Sequence, residues 1–256
     1  MQHHPLTNRW YQAKRWLSRR MLRRDLLLQR DCGVVSFSFD DAPKSACFEG
    51  RRILECMNSH GTWYIAGGLT DRLEMGRMCH SGADVQSLAR NGHHVGCHTF
   101  SHQPFDRAGR TQLVEEFERN AAFFSNLGLD GAGLHFSFPL GAYDLGSKYL
   151  ASNTFRSSRL TIGGVQLERA DLNGLWAEKL YAQSMTLARL QALVQSVAEQ
   201  RGWLIFYTHE VEEQPGAMGC TPALLDYAVR ASLGAGCRVL SVEQAIAYWS
   251  AQQTFV

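Results

Sequence analysis

The sequence predicts an α/β fold, a barrel of parallel strands with crossover helices, on three observations. Short β-branched and aromatic runs alternate with longer runs of helical spacing, the pattern of strand, helix and parallel strand. At 256 residues the chain exceeds the usual single-domain length, but α/β barrels use that length as one unit. Carboxylates, imidazoles and a proline–glycine turn follow the ends of four strand-like runs, where barrel enzymes gather reacting groups. Four such positions converging favour a barrel over an open sheet.

The elements follow in order. Residues 34–39, 62–66, 94–98, 134–138, 203–208 and 238–242 are short, β-branched or aromatic, bounded by Gly or polar residues, and read as strands. Between them, residues 49–59, 83–90, 112–127, 186–200 and 222–233 carry helical spacing, with Gly202 and Gly234 standing as stops of the last two. Glycines at 131, 133, 163 and 164 mark turns inside one domain, since no repeat, low-complexity tract or linker interrupts the chain.

A hydrophobic content of 45%, a charged content of 20% and six prolines describe a chain able to bury a large core. Seven scattered cysteines without CxxC pairs read as free thiols in a reducing compartment. Residues 1–7 have no apolar core followed by a small-residue cleavage site, so the expected location is cytoplasmic. The net charge of +2 gives no expectation of a nucleic-acid partner, and oligomeric state leaves no mark in the sequence.

That small net charge is polarised. Arg9, Lys14, Arg15, Arg19, Arg20, Arg23, Arg24 and Arg30 crowd the first segment against Asp25 and Asp31. On a helix, Trp10, Ala13, Leu17 and Met21 share a stripe, flanked by Trp16 and Leu22. Residues 1–31 are therefore read as a basic amphipathic segment appended to a single domain at 32–256. Its first expected use is to cover the barrel; its second is peripheral contact with an anionic membrane through residues 9–30, at the inner membrane face.

Asp40 and Asp41 close the apolar run from Val34 to Phe39, and His98, His102 and His209 follow downstream. Carboxylate and imidazole suit zinc and its neighbours, and three protein ligands leave one position open for water. Where the chain turns at a strand end, one carboxylate can bind a metal while the other stays free beside the water. His98 and His102 come within reach of one cation if the residues between them form a helical turn. Alone, an aspartate pair is a turn and helix cap, and a lone strand-end histidine such as His209, or His93 and His94, is a hydrogen-bonded core group. Joint occurrence in order argues for a site.

Ser-Phe-Asp-Asp at 38–41, Gly-Thr-Trp-Tyr at 61–64, His-Thr-Phe-Ser-His at 98–102, Phe-Ser-Phe-Pro-Leu-Gly-Ala-Tyr-Asp at 136–144 and Phe-Tyr-Thr-His at 206–209 together resemble the polysaccharide deacetylase family, carbohydrate esterase family 4. The resemblance implies a distorted (β/α) barrel of about seven parallel strands and metal-dependent removal of N-acetyl groups from amino sugars. Carried onto this chain, it implies Asp41, His98 and His102 as metal ligands, Asp40 as base and His209 as acid. It further implies that the Leu140 amide, after Pro139, binds the oxyanion. Zinc is the expected metal, with Co2+, Ni2+ and Mn2+ as alternatives. The FDDxP form at 39–43 and Thr208-His209-Glu210-Val211 resemble the exopolysaccharide branch, including holdfast-type deacetylases. The expected partner is then an N-acetylated glycan or a lipid-linked oligosaccharide.

The chain departs from the pattern at one element. Ser137 stands where the family usually has an arginine that holds the base, and Leu140 where an aromatic is common. Arg156 and Arg159 are candidates to replace that arginine, with Arg159 preferred because it precedes the turn at Gly163-Gly164. Asp171 loosely resembles the fourth motif and is expected to orient His209, with Trp176 as part of a wall for the acetyl group. Two alternatives stay open: a small-molecule amidohydrolase on the same barrel, and a catalytically silent glycan-binding module.

Overall fold

Side-chain alternation along the strands decides where the polar residues of this protein sit. The structure, a computed structural model, describes residues 15, 16, 18–28, 31–105 and 108–251. In chain order the strands are β1 (Asp25–Leu27), β2 (Val34–Asp40), β3 (Thr62–Ile65), β4 (Leu73–Glu74), β5 (Arg77–Met78), β6 (His94–Cys97), β7 (His135–Ser137), β8 (Ser157–Arg159), β9 (Arg169–Asp171), β10 (Glu178–Lys179), β11 (Trp203–Thr208) and β12 (Arg238–Val239). The helices are α1 (Arg51–Cys56), α2 (Gly82–Arg90), α3 (Arg110–Asn126), α4 (Leu145–Thr154), α5 (Leu187–Gln200), α6 (Pro222–Gly234) and α7 (Val242–Ser250).

Seven strands in the order β10-β11-β2-β3-β6-β7-β8 pair in parallel and curl into a half-barrel, the architecture the sequence predicts. β12 adds beside the first two residues of β2. Val35, Phe37, Phe39, Trp63, Ile65, Val95, Cys97, Phe136, Leu204 and Phe206 face outward beneath Leu54 of α1, Leu88 of α2, Phe117 of α3 and Val194 of α5. By the period of two, Ser36, Ser38, Asp40, Thr62, Tyr64, His94, His135, Ser137, Ser157 and Arg159 turn inward. The inner face is thus largely polar, and its groups find partners locally: Trp203 Nε1 donates to Ser36 Oγ at 3.0 Å and Ser38 Oγ to the Phe206 carbonyl at 2.9 Å. Leu26, Leu28, Ala170, Leu175, Val242 and Trp249 cover part of this face with Val34, Trp203 and Ile205.

Some element boundaries differ from expectation. The run at 49–59 opens as a π-helical turn, Ala46–Gly50, before α1. The stop of α5 is Arg201, left-handed at φ 54°, rather than Gly202, and Gly234 is the last residue of α6, with Gly236 taking the positive φ of 79°. β12 ends at Val239 because Ser241 caps α7 in a reciprocal box with Gln244. Two helices carry weak sequence signals: α4 starts at the Asp144 cap inside a motif, and α7 follows directly on a strand. β8, Ser-Ser-Arg, reads as loop by composition, yet all three residues are buried on the polar inner face.

The first segment is docked where it is described. β1 pairs antiparallel with β9, Asp25 opposite Asp171, and the buried Lys148 ammonium donates to the Ser18 and Met21 carbonyls at 3.0 Å and to Asp171 Oδ2 at 2.8 Å. Trp10, Ala13 and Leu17 of the expected stripe lie outside the described residues. Among the described residues no helix is long and apolar enough to cross a membrane.

Candidate active site

Asp40 is the last residue of β2, and the next two residues, Asp41 and Ala42, both take left-handed backbone (φ 61° and 50°). This reversal puts two neighbouring carboxylates at one spot instead of on opposite faces. Asp41 Oδ1 lies 3.1 Å from His102 Nε2 and 3.5 Å from His98 Nε2. Thr99 and His102 are also left-handed, as is Leu140, so five of the eleven non-glycine residues with positive φ among the described residues fall in these motifs. Backbone strain concentrated at one place is typical of functional sites.

The segment joining the two histidines differs from the helical turn expected. It is a bent loop, held by Glu116 of α3, whose Oε2 accepts from the Phe100 and Ser101 amides at 3.0 and 2.7 Å, and by Thr99 Oγ1, which accepts from His102 N at 3.1 Å. The loop is set by a carboxylate from a distant helix, which local spacing does not reveal.

Both imidazoles are aimed by their other nitrogen. His98 Nδ1 donates to the Ser137 carbonyl at 2.7 Å, and His102 Nδ1 meets Glu74 Oε1 at 3.2 Å. Each Nε2 lone pair therefore faces Asp41, and burial lowers both imidazoles, His98 to about 3, so they are neutral. Asp41 Oδ1 is buried without a hydrogen-bond partner. Donor atoms bound at about 2.0–2.2 Å around a tetrahedral ion lie about 3.3–3.6 Å apart, close to the two separations found here. An orphaned carboxylate oxygen facing two lone pairs fits a divalent cation, and Asp41, His98 and His102 could hold one.

Asp40 has the opposite environment. Arg159, from β8, places NH2 2.6 Å from Asp40 Oδ1, with Oδ2 and Ser137 Oγ on the same nitrogen. Its guanidinium lies over the rings of Tyr64 and Tyr207, 5.2 and 4.8 Å from their centroids. Burial, the largest single influence, raises the Asp40 carboxyl, but the charge and hydrogen bond of Arg159, joined by His98 and His209, together outweigh it and hold the group below its usual range. Asp41 lacks such a partner: burial, with Asp40 adding to it against the pull of His209, pushes it up to about 7.

His209 follows β11, with Nε2 3.8 Å from Asp41 Oδ2 and Nδ1 3.2 Å from the Met218 carbonyl. Asp171, expected to orient it, is instead taken by Lys148 and by the amides of Arg24 and Asn173. Trp176 does not share the cavity of Asp41 and His209, which is lined by Pro43, Glu74, Arg77 and Met218. It lines another of about 240 Å³ with Trp16, Arg19 and Arg20. Pro139 is buried, and Leu140 stands 64% exposed at φ 56°.

With this geometry in view, a sequence model of the polysaccharide deacetylase family matches residues 28–155, half of the chain. The chain belongs to the polysaccharide deacetylase family. The matched part carries Asp40, Asp41, His98, His102 and Ser137, while Arg159 and His209 lie beyond it. Members of this family are carbohydrate esterases of family 4, enzymes that are generally metal-dependent. Among solved structures, the chain is similar to a putative polysaccharide deacetylase from Mycobacterium smegmatis (15% identity, 91% of this chain and 96% of that one, TM-score 0.66). It is similar also to the chitin deacetylase of Colletotrichum lindemuthianum (15%, 86% and 88%, 0.58) and to a family 4 carbohydrate esterase from Streptomyces lividans in complex with acetate (16%, 82% and 93%, 0.56). At such identities the likeness is one of fold. No curated protein sequence matches the chain.

Proposed function

We propose that this deacetylase-family protein removes N-acetyl groups from N-acetylhexosamine residues of an exopolysaccharide or its lipid-linked precursor. The observation that carries the reading is the divergence of two adjacent aspartates: Asp40 is held ionised by Arg159, while Asp41 faces two imidazole lone pairs. Asp41, His98 and His102 hold the divalent metal, zinc by donor set. When bound, the cation polarises the amide carbonyl and acidifies a water. Asp40 accepts the proton of the attacking water, the Leu140 amide donates to the developing oxyanion, and His209 protonates the departing amine. Arg159 on Asp40 favours catalysis over a silent binding module, because a module needs no ionised base.

Described arginines of the first segment, Arg19, Arg20 and Arg23, line a cavity with Trp16 and Trp176, which supports a phosphate-bearing partner, either a lipid-linked oligosaccharide or an anionic membrane face. The direct test is acetate release from defined N-acetylglucosamine oligomers by chelated protein and by protein restored with zinc. Release only by the restored protein, lost in Asp40→Ala while zinc stays bound, is the expected result. Turnover in Asp40→Ala overturns the mechanism, and release confined to small non-sugar amides overturns the substrate class.

A further inference from the structure

The inner face of the sheet carries a second group of metal-type donors at its other, N-terminal end. His94 opens β6 and His135 opens β7; both point inward because Val95 and Phe136 take the outward positions. The two rings meet nearly at right angles, centroids 4.8 Å apart. His135 Nδ1 lies 2.8 Å from the hydroxyl of Ser157, its partner in register on β8, which fixes the ring and leaves Nε2 free. His135 Nε2 and His94 Nδ1 are buried with no hydrogen-bond partner. Neighbouring His93 has the satisfied environment of a core histidine, accepting from the Gly61 amide at 3.1 Å and facing Glu55 at 3.3 Å. Native interiors leave few buried ring nitrogens unmet, so each of these calls for a water or an ion, while His94 turns its other nitrogen, Nε2, towards α7.

Glu243 supplies the anion. It lies in the first turn of α7, which covers this end of the inner face, and its Oε2 is 3.8 Å from His94 Nε2. One donor atom from each of His94, His135 and Glu243 falls within 4.8 Å of the others. We propose that these three residues bind a second divalent cation, of the zinc class, with a structural role. Two imidazoles and a carboxylate form a borderline donor set suited to zinc, and the fourth position falls to water. The Glu243 side chain is 46% exposed while the two rings are buried, so a cation would reach the rings past this carboxylate.

Two features set its strength below that of the Asp41 cluster. The donors are further apart than the 3.1 and 3.5 Å found there, so the Glu243 side chain must swing inward. The charges of Arg24 and Arg156 also reach His135 and oppose a cation. The bound ion would tie β6 and β7 to α7, joining the segment matched by the family to the C-terminal helix. The N-terminal end of a barrel is the end associated with stability rather than chemistry.

The test titrates the chelated full chain with Zn2+ alone, reading stoichiometry by metal analysis, thermal midpoint, and turnover of N-acetylglucosamine oligomers. Wild type should take up two ions of unequal affinity. Glu243→Gln, an exposed near-isosteric change, should lose the weaker ion and its part of the zinc-dependent rise in midpoint, with turnover retained. His135→Gln should repeat that loss, and Asp41→Asn should remove the other ion together with turnover. A single ion in wild type, or two ions still bound to both Glu243→Gln and His135→Gln, overturns the proposal. Neither outcome bears on the catalytic reading, which turnover and Asp41→Asn report separately.

Discussion

Arg159 reaches Asp40 across 119 positions of sequence, and both side chains are almost wholly buried. In register, Arg159 of β8 lies beside Ser137 of β7, so its guanidinium arrives from one strand further round the barrel than the usual arginine of the third motif. Ser137 is small enough to leave the path open and accepts from the same nitrogen.

Removing that contact should lower activity without removing the metal. Arg159→Met leaves a buried carboxylate uncompensated, and burial then raises the Asp40 pKa, so the acidic limb of kcat/KM moves to higher pH. A fall of about 100-fold in kcat/KM near neutral pH is expected, the lower end of what a general base contributes. Metal content should be unchanged. An unshifted acidic limb in Arg159→Met would show that the base is another group.

The relocation itself can be tested by exchange. Arg159→Ser alone should be nearly inactive, and Ser137→Arg alone should be destabilised by crowding two cations on one carboxylate. The double variant, with the arginine moved to position 137, should recover part of the lost activity, a coupling that a double-mutant cycle measures directly. Additive losses would mean that the two positions do not serve the same carboxylate.

On the proposed metal site, Glu74, the last residue of β4 in the β4–β5 ribbon with Oε1 on His102 Nδ1, is a positioning residue that the sequence leaves unmarked. Glu74→Gln should weaken metal affinity by about 10- to 100-fold, the range for partners of ligating histidines. Turnover at saturating zinc should fall less than affinity does, and isothermal titration separates the two.

The legible parts of this molecule are those whose signal is local. Asp40, Asp41 and His98 stand out because each lies at or just past the end of a strand-like run, and His102 because it repeats the imidazole four residues after His98; the structure brings all four together. Arg159 is legible only as a candidate, because the reason for it is the register of β8 beside β7, a relation between strands that share no motif. Glu74 and Glu116 reach the histidines from a ribbon and a helix with no pattern of their own. Asp171 and Trp176 mislead because the docked first segment takes them for its own anchoring and for its arginine-lined cavity. The polar inner strands hide for a related reason: Ser-Ser-Arg reads as loop until its partners across the barrel are known.

That anchoring predicts a large effect at Lys148. Its ammonium is buried and joins Asp171 to two carbonyls of the first segment. Lys148→Met leaves Asp171 buried and unpaired, which should cost about 3–5 kcal/mol of stability in denaturant titration. The same variant should expose the arginine-rich segment, so limited trypsin digestion near residues 15–24 accelerates. Changing Asp171 to Asn as well should recover part of the stability, since no charge is then left alone, yet leave the segment sensitive.

Metal affinity should depend steeply on pH just below neutrality. In the metal-free site, burial pushes Asp41 up to about 7, and only its ionised form binds a cation. The sign follows from competition between proton and metal: below about 7 a proton must be displaced, so affinity should fall about tenfold for each unit of pH, while above 8 it should level off. Calorimetric titration with zinc in buffers of different ionisation enthalpy reads the released proton directly, near one per ion at pH 6 and approaching none at pH 8.5. Asp41→Asn should abolish this release together with tight binding. A pH-independent affinity between 6 and 8 in the wild type would remove Asp41 from the ligand set and leave the two histidines without their anion.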